Sequence, residues 1–198
     1  MRIITGALKG RTINFNPRHG QIRLTGALLK GAVFSMLGPD LTGTSFLDLC
    51  AGCGQLGIEA YSRGARTTMN EPDDQRQALL QELAREWRLE GLELCHLKAQ
   101  RLIPWLADQG RRFDCIYLDP PYEARLNQIP LSLALLQLLG EHELLTPEGW
   151  CFVQHQRELE FPAAADRLRR QRQRQYGQTT LSLYAPKTPG EGSAGEPG

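Results

Sequence analysis

"SFLDLCAGCGQLGIEAYSRG", Ser45 to Gly64, decides how this chain folds. An apolar run broken only by Asp48 gives way to glycines at 52, 54 and 57, and then to apolar residues at helical spacing. That order reads as strand, tight turn, helix. The glycines let backbone come close to a ligand. Gly52-Cys53-Gly54-Gln55-Leu56-Gly57 fits G-x-G-x-x-G, and it stands where that motif must stand, after a strand and opening a helix. Glu71 ends the next apolar run, nineteen residues after Gly52, the place of an acid that takes ribose hydroxyls. A dinucleotide would set its pyrophosphate at the helix N-terminus. S-adenosylmethionine has no phosphate and carries an ammonium and a sulfonium. Asp48 attracts those cations and repels a pyrophosphate, which favours S-adenosylmethionine.

Outward from this unit the pattern repeats. "ARTTMNE", "LELCHL", "FDCIYLD" and "GWCFVQHQ" read as further strands. Helices are expected from about Asp73 to Glu90, over "AQRLIPWLADQ", and from about Ile129 to Leu139. "RRQRQRQYGQTTLSLYAP" reads as two extended segments around Tyr176-Gly177. Its arginines at 170, 172 and 174 alternate, so a regular strand puts them on one face. "RIITGALKGRTINF" reads as a hairpin, and Thr25 is placed to cap a helix from Gly26 to Leu37 with Leu28, Leu29, Ala32, Val33 and Leu37 inward. The fold class is α/β: a Rossmann-like, doubly wound, mostly parallel sheet with a C-terminal antiparallel hairpin and a small N-terminal hairpin and helix extension. Residues 1–40 form the basic extension, 41–186 the main domain, and 187–198 a disordered tail.

"DPPY", Asp119 to Tyr122, ends the fourth of these strands. Pro120 and Pro121 offer carbonyls but no amides. Asp119 is an acceptor when ionised. An exocyclic amino group on a nucleobase is the matching donor. Two N–H bonds, to Asp119 and to the Pro120 carbonyl, would aim its nitrogen at a methyl donor, and Tyr122 can stack on the base. Such chemistry needs in-line positioning and no metal.

Net charge is +1, but Met1–Pro39 holds no acid and six cations, Arg2, Lys9, Arg11, Arg18, Arg23 and Lys30. The remaining residues carry the other 17 of 23 basic and all 22 acidic side chains. A basic end of this kind meets a polyanion. Arg167 to Arg174 are a candidate second cationic track. No stretch is long and apolar enough to span a membrane, and the N-terminus lacks a signal peptide's apolar core, so the reading is cytoplasmic. Cys50-x-x-Cys53 has no second half for a zinc site, and the five cysteines are expected as free thiols.

Taken together, "RIITGALKGR", "FLDLCAGCGQLGIEAYSRGA", "DPPY" and "YGQTTLSLY" make the chain resemble the RsmD family over about residues 2–184. The resemblance implies methyl transfer from S-adenosylmethionine to the N2 of a guanine in small-subunit (16S) ribosomal RNA, free or within a partly assembled small subunit. It implies cofactor contacts from Asp48, Ala51, Gly52, Gly54, Gly57, Glu71, Pro72, Lys98, Ala99 and Asp119. The catalytic set would be Asp119, Pro120, Pro121 and Tyr122. Substrate contacts would come from Arg2, Lys9, Arg11, Arg23, Thr25 and Tyr122. The chain departs from the family pattern at Leu24, Gly31, Cys53 and Lys98, positions that bear on RNA placement and cofactor affinity more than on chemistry. DNA adenine, protein glutamine and a non-catalytic RNA-binding role are the alternatives.

Overall fold

The computed structural model describes residues 1–15, 18 and 26–187. Its elements in chain order are α1 (Ala27–Leu37), β1 (Ser45–Asp48), α2 (Gln55–Ser62), β2 (Arg66–Asn70), α3 (Asp74–Glu86), β3 (Glu93–Cys95), α4 (Ala99–Asp108) and β4 (Phe113–Leu118). There follow β5 (Arg125–Leu126), β6 (Ile129–Pro130), α5 (Leu131–His142), β7 (Leu145–Gln156), β8 (Ala164–Ala165), β9 (Leu168–Tyr176) and β10 (Thr179–Pro186). Eight strands form one sheet in the order β3-β2-β1-β4-β7-β10-β9-β8. β3, β2, β1, β4 and β7 are parallel, and β10, β9 and β8 are antiparallel additions. The order turns back between β1 and β4, so a crevice opens beyond the carboxyl ends of those two strands.

Strands covered on both faces read as largely apolar runs, and β1, β4 and residues 150–153 of β7 do. On one face α4 and α5 pack Leu102, Ile103, Leu106, Leu135, Leu136 and Leu139 onto Ile116, Leu118, Val153 and Tyr184. On the other, α1 and α2 pack Leu29, Val33, Phe34 and Leu56 onto Phe46, Tyr117, Phe152, Leu181 and Leu183. α3 is started by Asp73, whose carboxylate accepts the amides of Gln75 and Arg76 at 3.1 and 3.0 Å. It shares a third cluster with Ile58, Met69 and the N-terminal Ile3, Leu8 and Ile13.

The N-terminal hairpin is shorter than the sequence suggests, with one antiparallel bridge, Arg2 to Thr12. Several of its amides go to α2 instead of a partner strand. Ile4 and Thr5 donate to the Glu59 carboxylate at 2.9 and 3.0 Å, and Leu8 to the Ser62 hydroxyl at 2.9 Å. Gly6 permits this contact, because a Cβ there would stand 1.7 Å from the Ser62 carbonyl oxygen. Glu59 is fully buried and also meets Lys30 at 2.6 Å and Arg63 at 3.0 Å. Burial raises its pKa, but Lys30, the Ile4 amide and Arg63 outweigh that and hold it below the ordinary value. Removing one partner of such a buried pair costs roughly 3–5 kcal/mol.

Three sequence expectations change here. Lys30, counted with the exposed cations, is 2% exposed. Leu28, expected inside, is 81% exposed, and Phe34 takes the inward place. Lys30 faces inward with Leu29, Val33 and Phe34, onto Glu59. The N-cap position of α1 is Gly26; the expected cap Thr25, like Arg23, Leu24 and the tail from 188 on, lies outside the described residues. At the far edge, Leu183 pairs with Arg172 but Tyr184 pairs with Arg170, a β-bulge with Gln171 as the extra residue. Arg170 therefore faces opposite to Arg172 and Arg174, and the three do not share a face.

Candidate active site

The crevice has a volume of about 830 Å³. Its cofactor wall is built by the turn after β1 and the ends of β2 and β3. Asp48 is 2% exposed. Its Oδ2 accepts the Gly57 amide at 2.9 Å, and its buried Oδ1 has no hydrogen-bond partner among the described residues. Gly57 has no room for a side chain: a Cβ would stand 2.3 Å from the Met69 sulfur and 3.2 Å from Asp48 Oδ2. The last glycine of the motif thus joins helix to strand and aims Asp48 at the same time. Gly54 caps α2 in the left-handed region at φ 78°, which closes the turn.

Glu71 is 4% exposed and organises the same wall. Its Oε2 accepts the Gly52 amide at 2.8 Å; its Oε1 accepts the Asp73 amide at 3.0 Å and meets Arg76 at 3.1 Å. Oε2, with one donor, retains lone-pair capacity for a hydroxyl. Buried Asn70 ties two loops together, donating to the Leu49 carbonyl and accepting the Leu97 amide, both at 3.1 Å. Cys50 and Cys53 are free thiols within this wall. Burial pushes the Cys50 thiol well up, with Asp48, Asp119 and Glu71 adding to it, and pushes Cys53 to about 11. Neither has thiolate character, so they pack as small apolar side chains, Cys53 buried and Cys50 partly so.

The acceptor wall is Asp119, Pro121, Tyr122, Glu123, Ala124 and Arg125. The Tyr122 hydroxyl and the Thr179 hydroxyl are 2.9 Å apart, which pins the ring to the start of β10. Arg125 Nη1 donates to the carbonyls of Tyr122 and Ala124 at 2.8 and 3.1 Å. Behind it, Asn127 and Gln128 take φ values of 49° and 70° in the two-residue turn between β5 and β6. Paired positive φ is the hairpin geometry that matches strand twist, here adopted by residues other than glycine, with some strain. This small hairpin was not expected from the sequence, which ran a helix from Ile129.

The two walls meet electrostatically. Burial pushes the Asp48 pKa up to about 7, against the Gly57 amide and with help from the charges of Asp119 and Glu71. Three converging carboxylates and an unpartnered buried oxygen suit an ammonium or sulfonium and disfavour a pyrophosphate. The residues therefore fit S-adenosylmethionine.

Of the expected cofactor residues, Asp48, Ala51, Gly52, Glu71, Pro72, Lys98, Ala99 and Asp119 line the crevice. Gly54 and Gly57 do not line it and act through the turn and the helix packing. Pro121 and Tyr122 line it; Pro120 is buried behind them. Arg2, Lys9 and Arg11 are exposed and outside the lining, and Arg11 lies 5.3 Å from the centre of the Trp87 ring. Asn70, Arg76, Arg125 and Thr179 were not singled out by sequence reasoning. Only Arg76 carried a local signal, a cation in the first turn of the helix that follows Glu71. Among the described residues no group of three or more His, Cys, Asp or Glu could hold a metal ion, and no helix is long and apolar enough to cross a membrane.

This fold and site define a Rossmann-like methyltransferase, for which S-adenosylmethionine is the expected cofactor. The family model described as "Conserved hypothetical protein 95" matches residues 1–185. The chain belongs to that family, the RsmD family. It is 32% identical over 186 residues to the Bacillus subtilis (strain 168) protein named "Putative rRNA methyltransferase YlbH", covering 93% of this chain and 98% of that one. It is 27% identical over 195 residues to Ribosomal RNA small subunit methyltransferase D of Escherichia coli (strain K12), covering 98% and 94%. Among solved structures, a hypothetical protein of Thermus thermophilus matches with a TM-score of 0.77 and 28% identity, covering 92% of this chain and 98% of that one.

Proposed function

We propose that this protein methylates the exocyclic N2 amino group of a guanine in small-subunit ribosomal RNA, with S-adenosylmethionine as donor. The observation that carries the reading is the convergence of Asp48 and Asp119 on one crevice, close enough for Asp119 to raise the Asp48 pKa. A cation site and an amino-group acceptor site are thereby in register. The family relatives named for ribosomal RNA support the substrate class.

S-adenosylmethionine supplies, when bound, an electrophilic methyl group on a sulfonium. The chain's residues do the rest. Asp48 balances the cationic charge, and Glu71 accepts ribose hydroxyls while holding the Gly52 amide. Ala51, Pro72 and Ala99 give apolar walls for an adenine, beside Lys98 at the N-cap of α4. The Asp119 carboxylate accepts an N–H of the guanine amino nitrogen, leaving its lone pair directed into the crevice. Positive charge growing on that nitrogen is stabilised by Asp119. Tyr122, fixed by Thr179, stacks on the base for roughly 1–3 kcal/mol. A paired guanine presents N2 in the minor groove, so the base must be unpaired or flipped. The exposed N-terminal Arg2, Lys9 and Arg11 supply phosphate contacts outside the crevice, and Arg23 is a further cation of the same segment.

The test is transfer of labelled methyl to unmodified small-subunit RNA, naked and in partly assembled subunits, followed by identification of the labelled nucleoside. N2-methylguanosine is expected. Label in another nucleoside, or only in DNA adenine or protein glutamine, would replace the acceptor. Neither label nor cofactor binding would make the protein a non-catalytic RNA-binding member of its family, with Lys98 the first residue to revert.

A further inference from the structure

Strand β9 is used by neither wall of the crevice, yet it has an unusual composition. From Arg167 to Lys187 there are five arginines and no aspartate or glutamate. The structure sorts them. Arg167 pairs with Glu143. Arg170 is half-buried and donates to the Phe161 carbonyl at 2.6 Å. Arg172 and Arg174 are exposed and have no hydrogen-bond or ion-pair partner among the described residues.

The bulge at Gln171 decides where these two point. Arg172 pairs with Leu183 and Arg174 with Leu181, so they share the sheet face on which those leucines meet α1. Tyr176 continues the same face and pairs with Thr179, the residue that holds the Tyr122 hydroxyl. Arg172, Arg174, Tyr176, Thr179 and Tyr122 thus form a line that ends at the acceptor loop. Successive arginines on it are about 7 Å apart along the strand. β8 pairs only with Leu168 and Arg169, so among the described residues no strand covers β9 beside the two free arginines.

We infer that this face of β9 docks the RNA strand that carries the target base, with Arg172 and Arg174 on phosphates. The inference rests on the proposed acceptor site and extends it. Arginines also guard exposed strand edges against pairing with other chains. That role needs no particular face, whereas these two stand on the face that runs through Tyr176 and Thr179 to Tyr122.

The experiment measures binding of transcribed, unmodified small-subunit RNA across a salt series, for the full chain, for Arg172→Ala/Arg174→Ala and for Arg85→Ala/Arg88→Ala. The last pair removes equal charge from α3 and the turn after it. Loss of two phosphate contacts should weaken binding about tenfold and reduce the slope of log Kd against log salt by about 1.4. S-adenosylmethionine affinity and the unfolding midpoint should stay unchanged, and the α3 pair should behave as the parent. An unchanged slope in the β9 variant overturns the inference. So does unchanged RNA binding with loss of self-association, which would assign the edge to a protein contact. Methyl transfer by the parent protein tests the acceptor reading separately from the slope.

Discussion

The two walls of the crevice are built in opposite ways. The cofactor wall is buried, local in sequence, and held by backbone amides donating to carboxylates: Gly57 to Asp48, Gly52 and Asp73 to Glu71. The acceptor wall is partly exposed, stiffened by prolines that donate nothing, and held by side chains: distant Thr179 on the Tyr122 hydroxyl and nearby Arg125 on the Tyr122 carbonyl. A wall made of amides and buried acids fixes charge. A wall made of stiff proline backbone and one pinned ring is built for a substrate that arrives and departs. The comparison predicts that damage to the first will appear in cofactor affinity and stability, and damage to the second in turnover.

The largest effect is expected from Asp119→Asn. Turnover should fall roughly 10²–10³-fold, since an amide cannot stabilise charge growing on nitrogen as a carboxylate does. Cofactor affinity, measured by calorimetry, should stay within about twofold. A cofactor affinity that falls as far as turnover would erase the division between the walls.

Asp48→Asn should weaken cofactor binding by about 30-fold, the loss of one buried charge interaction of roughly 2 kcal/mol, and yet stabilise the fold at alkaline pH. Burial raises the folded pKa to about 7, above its unfolded value. The folded protein then holds a proton that the unfolded chain has released. This contribution to stability is complete below the unfolded pKa and is lost as pH rises through about 7. The variant should therefore gain on the parent by roughly 1–3 kcal/mol between pH 5 and 8 in denaturant titrations. The parent's affinity for the cationic cofactor should rise over the same interval, and the variant's should not.

Glu71→Ala should lower cofactor affinity roughly tenfold and stability by about 1–3 kcal/mol, because the Gly52 and Asp73 amides lose their acceptor. Full stability with normal affinity would show that neither amide depends on it. The smallest effect is expected at the acceptor wall's distant support. Thr179→Val removes one hydrogen bond worth about 1 kcal/mol, so kcat/KM for RNA should drop around fivefold with cofactor affinity unchanged. Equal activity would mean that Tyr122 is placed by the prolines alone.

Legibility in the sequence follows the same division. Asp48, Gly52, Gly54, Gly57 and Glu71 were readable because one strand-turn-helix-strand unit brings them together within 24 residues of chain. Asp119 to Tyr122 were readable because two prolines in series are rare chemistry at a strand end. Thr179 was not, since 57 residues separate it from Tyr122 and threonine in a strand carries no signal. The hairpin at Asn127-Gln128 was missed for a related reason. It needs positive φ at Gln128, a residue that seldom adopts it, so the pair carries only half of the usual turn signal.

By itself the sequence determined the alternation of strands and helices, the parallel core, and the two acidic loops at strand ends. Period and turn chemistry are local properties, and local properties survive in one dimension. Tertiary structure decided which cations are free. Lys30 reads as a surface charge until Glu59 is found beneath it, and Arg170 reads as a companion of Arg172 until the bulge at Gln171 turns it over. Burial, pairing and sheet face depend on partners far along the chain, and only folding brings those partners into contact.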